Sequence, residues 1–141
     1  MARADTKREM LKGLPLFAAM RPKDLDAVER LADTVDIPAG RTLMRQGEHG
    51  NEMYVIASGS VRIERNGREI ATLGPGNAVG EMSLLSEGPR LATVTTLEPT
   101  TVFAIGHREF HTLIADSSEL RQCIFNNLAS RIRTLDESGA I

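Results

Sequence analysis

The stretch Val79-Gly80-Glu81-Met82-Ser83-Leu84-Leu85-Ser86-Glu87-Gly88-Pro89-Arg90-Leu91-Ala92-Thr93-Val94 decides how this chain reads. Gly80 lets the backbone approach a ligand where a Cβ would obstruct it. Met82 to Leu85 suits one helical turn, and the first N–H groups of such a turn are unpaired and fit a phosphate. Arg90 brings a planar, permanently charged donor fork to the same anion. Glu81 is an acceptor suited to a sugar hydroxyl. Together these residues describe a pocket for a small phosphorylated sugar.

Upstream of this stretch the chain punctuates itself. Residues 1–10 are polar and mixed in charge, a frayed or helical lead-in. Leu11 to Phe17 contains Gly13 and Pro15 and reads as a turn anchored by Leu14, Leu16 and Phe17. Pro22 suits the first position of a helix, whose apolar residues Leu25, Val28 and Leu31 recur at threes through about Ala32. From Val35 the period becomes two. Short strands are expected at Val35–Ile37, Thr42–Arg45, Met53–Ile56, Val61–Glu64 and Glu69–Leu73, with turns at Pro38-Ala39-Gly40, Gln46-Gly47-Glu48, Ser58-Gly59 and Gly74-Pro75-Gly76. Asn66-Gly67 is a two-residue hairpin signal. Two more strands, Ala92–Leu97 and Thr101–Ile105, follow the phosphate segment. Many short strands with turn chemistry between them predict a sandwich or jelly roll.

The C-terminal part has helical periodicity. His107 to Ile114 carries Phe110, Leu113 and Ile114 on one side, and Asp116-Ser117-Ser118-Glu119 loosely matches a capping box. Leu120, Ile124, Leu128, Ile132 and Leu135 form a long apolar stripe, which Ser138-Gly139 ends.

The phosphate segment resembles the phosphate-binding cassette of the cyclic nucleotide-binding domain family, found in regulatory subunits of cAMP-dependent protein kinase, catabolite activator proteins and gated channels. That family's pattern is roughly Gly-Glu, four apolar or small residues, a variable stretch, then Pro-Arg-small-Ala-Thr/Ser-Val. Here it reads Gly80-Glu81-Met82-Ser83-Leu84-Leu85, then Ser86-Glu87-Gly88, then Pro89-Arg90-Leu91-Ala92-Thr93-Val94, with Glu81 and Arg90 nine positions apart. The resemblance runs from about Leu11 to Leu135. It implies a mainly β fold with flanking helices: an eight-stranded antiparallel β-roll or jelly roll, an N-terminal helical segment and two C-terminal helices. One domain over 1–141 is expected, with helical segment 11–34, β-roll 35–106 containing cassette 79–94, and helices 107–136.

By the same resemblance, Arg90 holds a cyclic phosphate, with backbone N–H groups of Ser83 and Leu91 completing the site. Glu81 accepts the ribose 2′-hydroxyl proton. Gly80, Met82, Ala92 and Thr93 belong to the ligand-binding set, with Met82 and Leu84 as cassette anchors and Leu84 as the hinge leucine. Leu91 departs from the pattern: alanine is usual in cAMP binders and threonine in many cGMP-preferring members. Leucine lacks the hydroxyl that would meet the guanine amino group, so cAMP is the expected ligand and cGMP a weaker one. Thr93 could equally serve β propensity alone.

Composition narrows the function. The chain has 141 residues, 41% hydrophobic and 26% charged, as in ordinary globular domains. A net charge of −2 gives no electrostatic reason to expect nucleic-acid binding, and no helix-turn-helix follows the last apolar stripe. The single cysteine, Cys123, allows no internal disulfide and fits a reducing, cytoplasmic setting. No membrane segment or secretory leader is expected. A metal enzyme on a cupin-like barrel would need several His and Glu ligands on inward strand positions, and here His49 reads as part of a turn while His107 and His111 accompany a helix. No catalytic or metal-ligating residues are therefore assigned. The expectation is a non-enzymatic cAMP sensor whose C-terminal helices relay binding to an effector protein or form a homodimer. The alternatives are a regulatory fragment of a larger channel, kinase or transcription regulator, or a β-roll for another small phosphorylated ligand.

Overall fold

The computed structural model describes residues 3–86 and 88–137. Two helices come first, α1 (Arg3–Lys12) and α2 (Pro22–Leu31), so the polar lead-in is helical and its helix runs into the expected turn as far as Lys12. Pro22 opens α2 from an extended Arg21, whose guanidinium donates to Asp24 at 2.9 Å and also pairs with Glu119. The expected stripe is present, with Leu25 and Val28 buried and Leu31 half-buried.

Ten strand segments follow among the described residues: β1 (Asp33–Ile37), β2 (Thr42–Met44), β3 (His49–Gly50), β4 (Glu52–Ser58), β5 (Val61–Arg65), β6 (Arg68–Leu73), β7 (Ala78–Val79), β8 (Gly88–Pro89), β9 (Thr93–Thr96) and β10 (Thr100–Gly106). Between β7 and β8 lies the single-turn helix α3 (Met82–Leu85), and the chain closes with α4 (His107–Ala115) and α5 (Ser118–Glu137). Two antiparallel four-stranded sheets, ordered β1-β10-β4-β7 and β2-β9-β5-β6, supply eight strands. The β3–β8 pair is an addition that local periodicity did not anticipate. Each partner is only two residues long, and the pairing spans some forty positions of chain (His49↔Pro89, Gly50↔Gly88). His49 is thus a strand residue, not a turn residue. The hairpin at Asn66-Gly67 is as expected, with φ of 54° and 77° at its two residues and Arg65 opposite Arg68.

Alternation along the central strands divides the interior in two. Met53 and Val55 of β4, with Phe103 and Ile105 of β10, join a core formed with Leu11, Leu16, Phe17, Leu25, Val28, Leu84, Phe110, Leu120 and Ile124. Ile56, one residue on, points into a second core with Met44, Val61, Ile63, Val79 and Val94, between the two sheets. β1 is an edge strand, and its Val35 stays 41% exposed rather than joining either core.

At the C-terminal junction the cap falls one residue later than expected. Asp116 ends α4, while Ser117 Oγ accepts the Leu120 N–H at 3.1 Å and starts α5. Leu120 and Ile124 are buried and Leu128 is half-buried, as the stripe requires. The side chains of Ile132 and Leu135, and Ser138-Gly139, lie outside the described residues.

Phe110 ties α4 to the N-terminal turn, its ring 6.0 Å from that of Phe17, both fully buried. Truncating it removes a ring from the helix-side core. Phe110→Ala should cost about 3–5 kcal/mol of unfolding free energy, measured by urea denaturation; a loss below about 1 kcal/mol would mean that this core does not hold α4 in place.

Candidate functional site

The site forms where the two strand systems deliver short segments to each other. β7 pairs with β4 through Tyr54↔Val79 and Val55↔Ala78, which brings the chain to Gly80 at the rim of the inter-sheet core. Gly80 has φ of 79°, and a Cβ there would lie 2.8 Å from Arg90 Nη1 and 2.9 Å from the Glu52 carbonyl. Glycine is required on both counts. Glu81 then enters a right-handed conformation and α3 begins. Ser83 N–H donates to the Gly80 carbonyl at 3.0 Å and Leu84 N–H to that of Glu81 at 3.1 Å, tightening the turn.

Arg90 arrives from the other side. The β3–β8 pair carries it there, and its own backbone extends the pairing: Arg90 N–H donates to the Glu48 carbonyl and Gly47 N–H to the Arg90 carbonyl, both at 2.8 Å. The side chain runs over Gly50, where any Cβ would overlap the guanidinium. It is only 8% exposed, and Nη1 donates to Ser83 Oγ at 2.6 Å. No described carboxylate forms an ion pair with it. Burial pushes the Arg90 guanidinium below its ordinary value, opposed by the nearby Tyr54 and Glu52. Arginine nevertheless keeps its proton, so the site holds a desolvated positive charge. Burial, together with Glu52, moves the Tyr54 hydroxyl upward, and that hydroxyl donates to Glu52 Oε1 at 3.3 Å.

These groups border a cavity of about 810 Å³. Gly80, Glu81, Met82, Ser83, Arg90, Leu91 and Ala92 all line it, with Ile63, Val79 and Val94 from the sheets, Leu16 from the turn after α1 and Leu128 from α5. Glu81 Oε2 is buried and has no hydrogen-bond partner among the described residues. An unmatched buried carboxylate oxygen costs desolvation energy that a ligand hydroxyl can recover. Ser83 Oγ, which accepts from Arg90, retains its own proton for an anion oxygen. The arrangement suits a ligand carrying a monoanionic phosphate and a hydroxyl on a largely apolar body.

Not every expected residue sits there in the expected way. Thr93 does not line the cavity; its hydroxyl accepts the Gln46 N–H at 3.0 Å and fixes the end of β2 instead. Met82 is 58% exposed, so it does not anchor the cassette, whereas Leu84 is fully buried and does. Ser83 N–H is spent on Gly80, and it is the Ser83 side chain that meets Arg90. Leu91 is 62% exposed beside the cavity, and its carbonyl accepts from Arg65 Nε at 3.1 Å. Gly50, Arg65, Leu16 and Leu128 were not expected at the cavity; Leu16 had a local signal as a turn anchor and Leu128 as a member of the apolar stripe, and neither signal points to a ligand. Among the described residues no three His, Cys, Asp or Glu side chains are grouped to hold a metal ion, and no helix is long and apolar enough to cross a membrane.

With this geometry in view, comparison with known proteins places the chain. Residues 34–117 match the cyclic nucleotide-binding domain, and the chain belongs to that family. A CRP-like cAMP-activated global transcriptional regulator from Mycobacterium tuberculosis is 32% identical over 137 residues, which cover 94% of this chain and 61% of that protein. The chain thus spans about three-fifths of the length of that relative. The crystal structure of the N-terminal domain of a transcriptional regulator from Streptomyces coelicolor superposes with a TM-score of 0.84 at 30% identity, covering 94% of this chain and 96% of that one. The regulatory domain of Toxoplasma gondii PKA, crystallised with cAMP, gives a TM-score of 0.75 at 27% identity, covering 96% of this chain and 53% of its own.

Gly50 is a test of how Arg90 is held. Gly50→Ala should displace the guanidinium and weaken cyclic nucleotide binding by about tenfold or more, a loss of at least about 1.4 kcal/mol, in a calorimetric titration with cAMP. Wild-type affinity in that variant would mean that the Gly50 surface does not set the arginine's position.

Proposed function

We propose that this protein is a non-enzymatic sensor of cAMP. The observation that carries the reading is the pair of groups on one cavity wall that are unmatched among the described residues: the buried Arg90 guanidinium, with no carboxylate partner, and Glu81 Oε2, with no hydrogen-bond partner. In this reading the cyclic phosphate sits against Arg90 and the Ser83 hydroxyl, and Glu81 accepts the proton of the ribose 2′-hydroxyl. The base lies against the apolar wall, near Leu91. Similarity to the cAMP-activated regulator and to the cAMP-bound kinase domain supports the choice of ligand. A setting in the cytoplasm fits the lone cysteine.

The relay follows from packing. Leu84 is buried in the same core as Phe110, Leu120 and Ile124, so α3 cannot shift without disturbing α4 and α5. Phosphate capture at Arg90 draws α3 inward, and the two C-terminal helices repack over the cavity, where Leu128 already forms part of the wall. A ligand drives such a change only by its differential affinity for the two arrangements. The output passes to an effector, either a protein partner, a second copy joined through α5, or further domains such as the related regulators carry.

Arg90→Ala removes the charge-assisted partner of a buried anion, which costs about 2–5 kcal/mol. Calorimetry should therefore show cAMP binding weakened by between about tenfold and several thousandfold. Arg90→Lys should also lose affinity, because an ammonium cannot present the fork. Binding of the alanine variant within about twofold of wild type, well under 1 kcal/mol, would rule the phosphate site out.

Base choice is tested at Leu91, which offers no hydroxyl to a guanine amino group. Side-by-side titrations should find cAMP at least as tight as cGMP in the wild type, with Leu91→Thr shifting the ratio towards cGMP. A wild type that prefers cGMP contradicts the assignment of cAMP as the signal.

A further inference from the structure

A helix of one turn leaves its last carbonyls without intrahelical donors, and in α3 the account can be completed carbonyl by carbonyl. Gly80 O accepts from Ser83 N, Glu81 O from Leu84 N, and Met82 O from Ser86 N at 2.9 Å. For the next two, Ser83 O and Leu84 O, there is no backbone donor of that kind among the described residues. They meet two imidazoles from α4 instead. His107 Nδ1 lies 2.6 Å from Ser83 O, and His111 Nε2 lies 2.7 Å from Leu84 O. The two rings stack on each other, centroids 4.0 Å apart and planes 29° apart. Sequence alone placed both only beside a helix; both are half-buried and bonded to the cassette.

From this geometry we infer that His107 and His111 are positioning residues that join the phosphate-binding turn to the first C-terminal helix, so that α3 and α4 move as one body when ligand is captured. The inference rests on the sensor reading above and names the contact that carries its relay. Apolar packing around Leu84 couples α3 to α4 but is non-directional, so it sets no fixed orientation between them. Two hydrogen bonds to consecutive carbonyls do not, because each holds a fixed direction and distance. The i, i+4 spacing puts both rings on one face of α4, and their stacking fixes each ring's plane. His107 is further restrained by its own backbone, whose N–H donates to the Asn51 carbonyl at 2.6 Å, beside β4. A carbonyl only accepts, so the proton must lie on Nδ1 of His107 and on Nε2 of His111. In their neutral forms the two neighbours are therefore in opposite tautomers, a requirement that a space-filling role would not impose.

The first arm of the test reads those protons. Nitrogen-15 NMR of the imidazoles in the ligand-free protein, at a pH that keeps both rings neutral, should find Nδ1–H on His107 and Nε2–H on His111. The same tautomer on both rings, or averaging between forms on either, overturns the tie. The second arm reads transmission by hydrogen exchange with and without cAMP, in the wild type, in His107→Leu/His111→Leu, and in His107→Asn/His111→Gln, which returns an N–H donor near each carbonyl. Wild type should gain protection in 79–94 and in 107–135. The leucine pair should keep cassette protection and lose the helical part, and the amide pair should recover it. A leucine pair with the full helical response overturns the inference and leaves the sensor reading intact. An amide pair that fails to recover the response, while folded and binding cAMP, also overturns it. A wild type that gains no protection anywhere overturns the sensor reading itself, and the relay with it.

Discussion

A desolvated guanidinium with no carboxylate partner among the described residues is the constraint around which this structure is arranged. Arg90 is buried to 8% exposure, and burial disfavours its charge more than Tyr54 and Glu52 favour it. A charge cannot be kept in such a place by side-chain preference alone. Its backbone is pinned by two hydrogen bonds to Gly47 and Glu48, its path is kept clear by Gly50 and Gly80, and one nitrogen is satisfied by Ser83 Oγ. Its remaining donors are the ones that the proposed phosphate would take up. Breaking a buried ion pair by removing one partner is strongly destabilising, and a ligand that supplies the missing partner gains from the same asymmetry.

The two sheets are what make that possible. One sheet sends Gly80 and Glu81 forward from β7; the β3–β8 pair brings Arg90 to meet them; and the inter-sheet core of Met44, Ile56, Val61, Ile63, Val79 and Val94 forms a firm apolar floor. Glu81 is placed by the same turn that aims α3, which also carries Leu84 and the carbonyls of Ser83 and Leu84. The helix-side core, which includes Leu84, Phe110 and Leu120, then couples the binding turn to the C-terminal helices through dense packing.

What could be read from the residues alone follows the range of the physics involved. Period-two alternation and the Asn66-Gly67 hairpin are local, and so the strands of both large sheets were legible apart from the two-residue β7. The helical stripe Leu25, Val28, Leu31 was legible for the same reason. The β3–β8 pair was not, because two residues carry no period and the partner lies across the chain. With it went His49's strand position and the role of Gly50, which matters only once Arg90 lies over it. At the site, Gly80, Glu81 and Arg90 were visible through a motif with fixed spacing. The motif gives position and not orientation: Met82 lines the cavity but is too exposed to anchor the cassette, and the Thr93 hydroxyl accepts from the Gln46 amide outside the cavity lining. The histidines carried no motif at all, and their meaning depends on carbonyls more than twenty residues away.

The central claim is that one cavity binds a phosphate and a ribose hydroxyl through Arg90 and Glu81 together, and a ligand lacking that hydroxyl examines it most directly. The measurement is a calorimetric titration of cAMP and 2′-deoxy-cAMP into the wild type and into Glu81→Ala. In the wild type, loss of the hydroxyl strands a buried carboxylate oxygen and should weaken binding by about tenfold, near 1.4 kcal/mol. In Glu81→Ala the two ligands should bind alike. Equal affinities in the wild type, or the same loss in both proteins, would contradict the account.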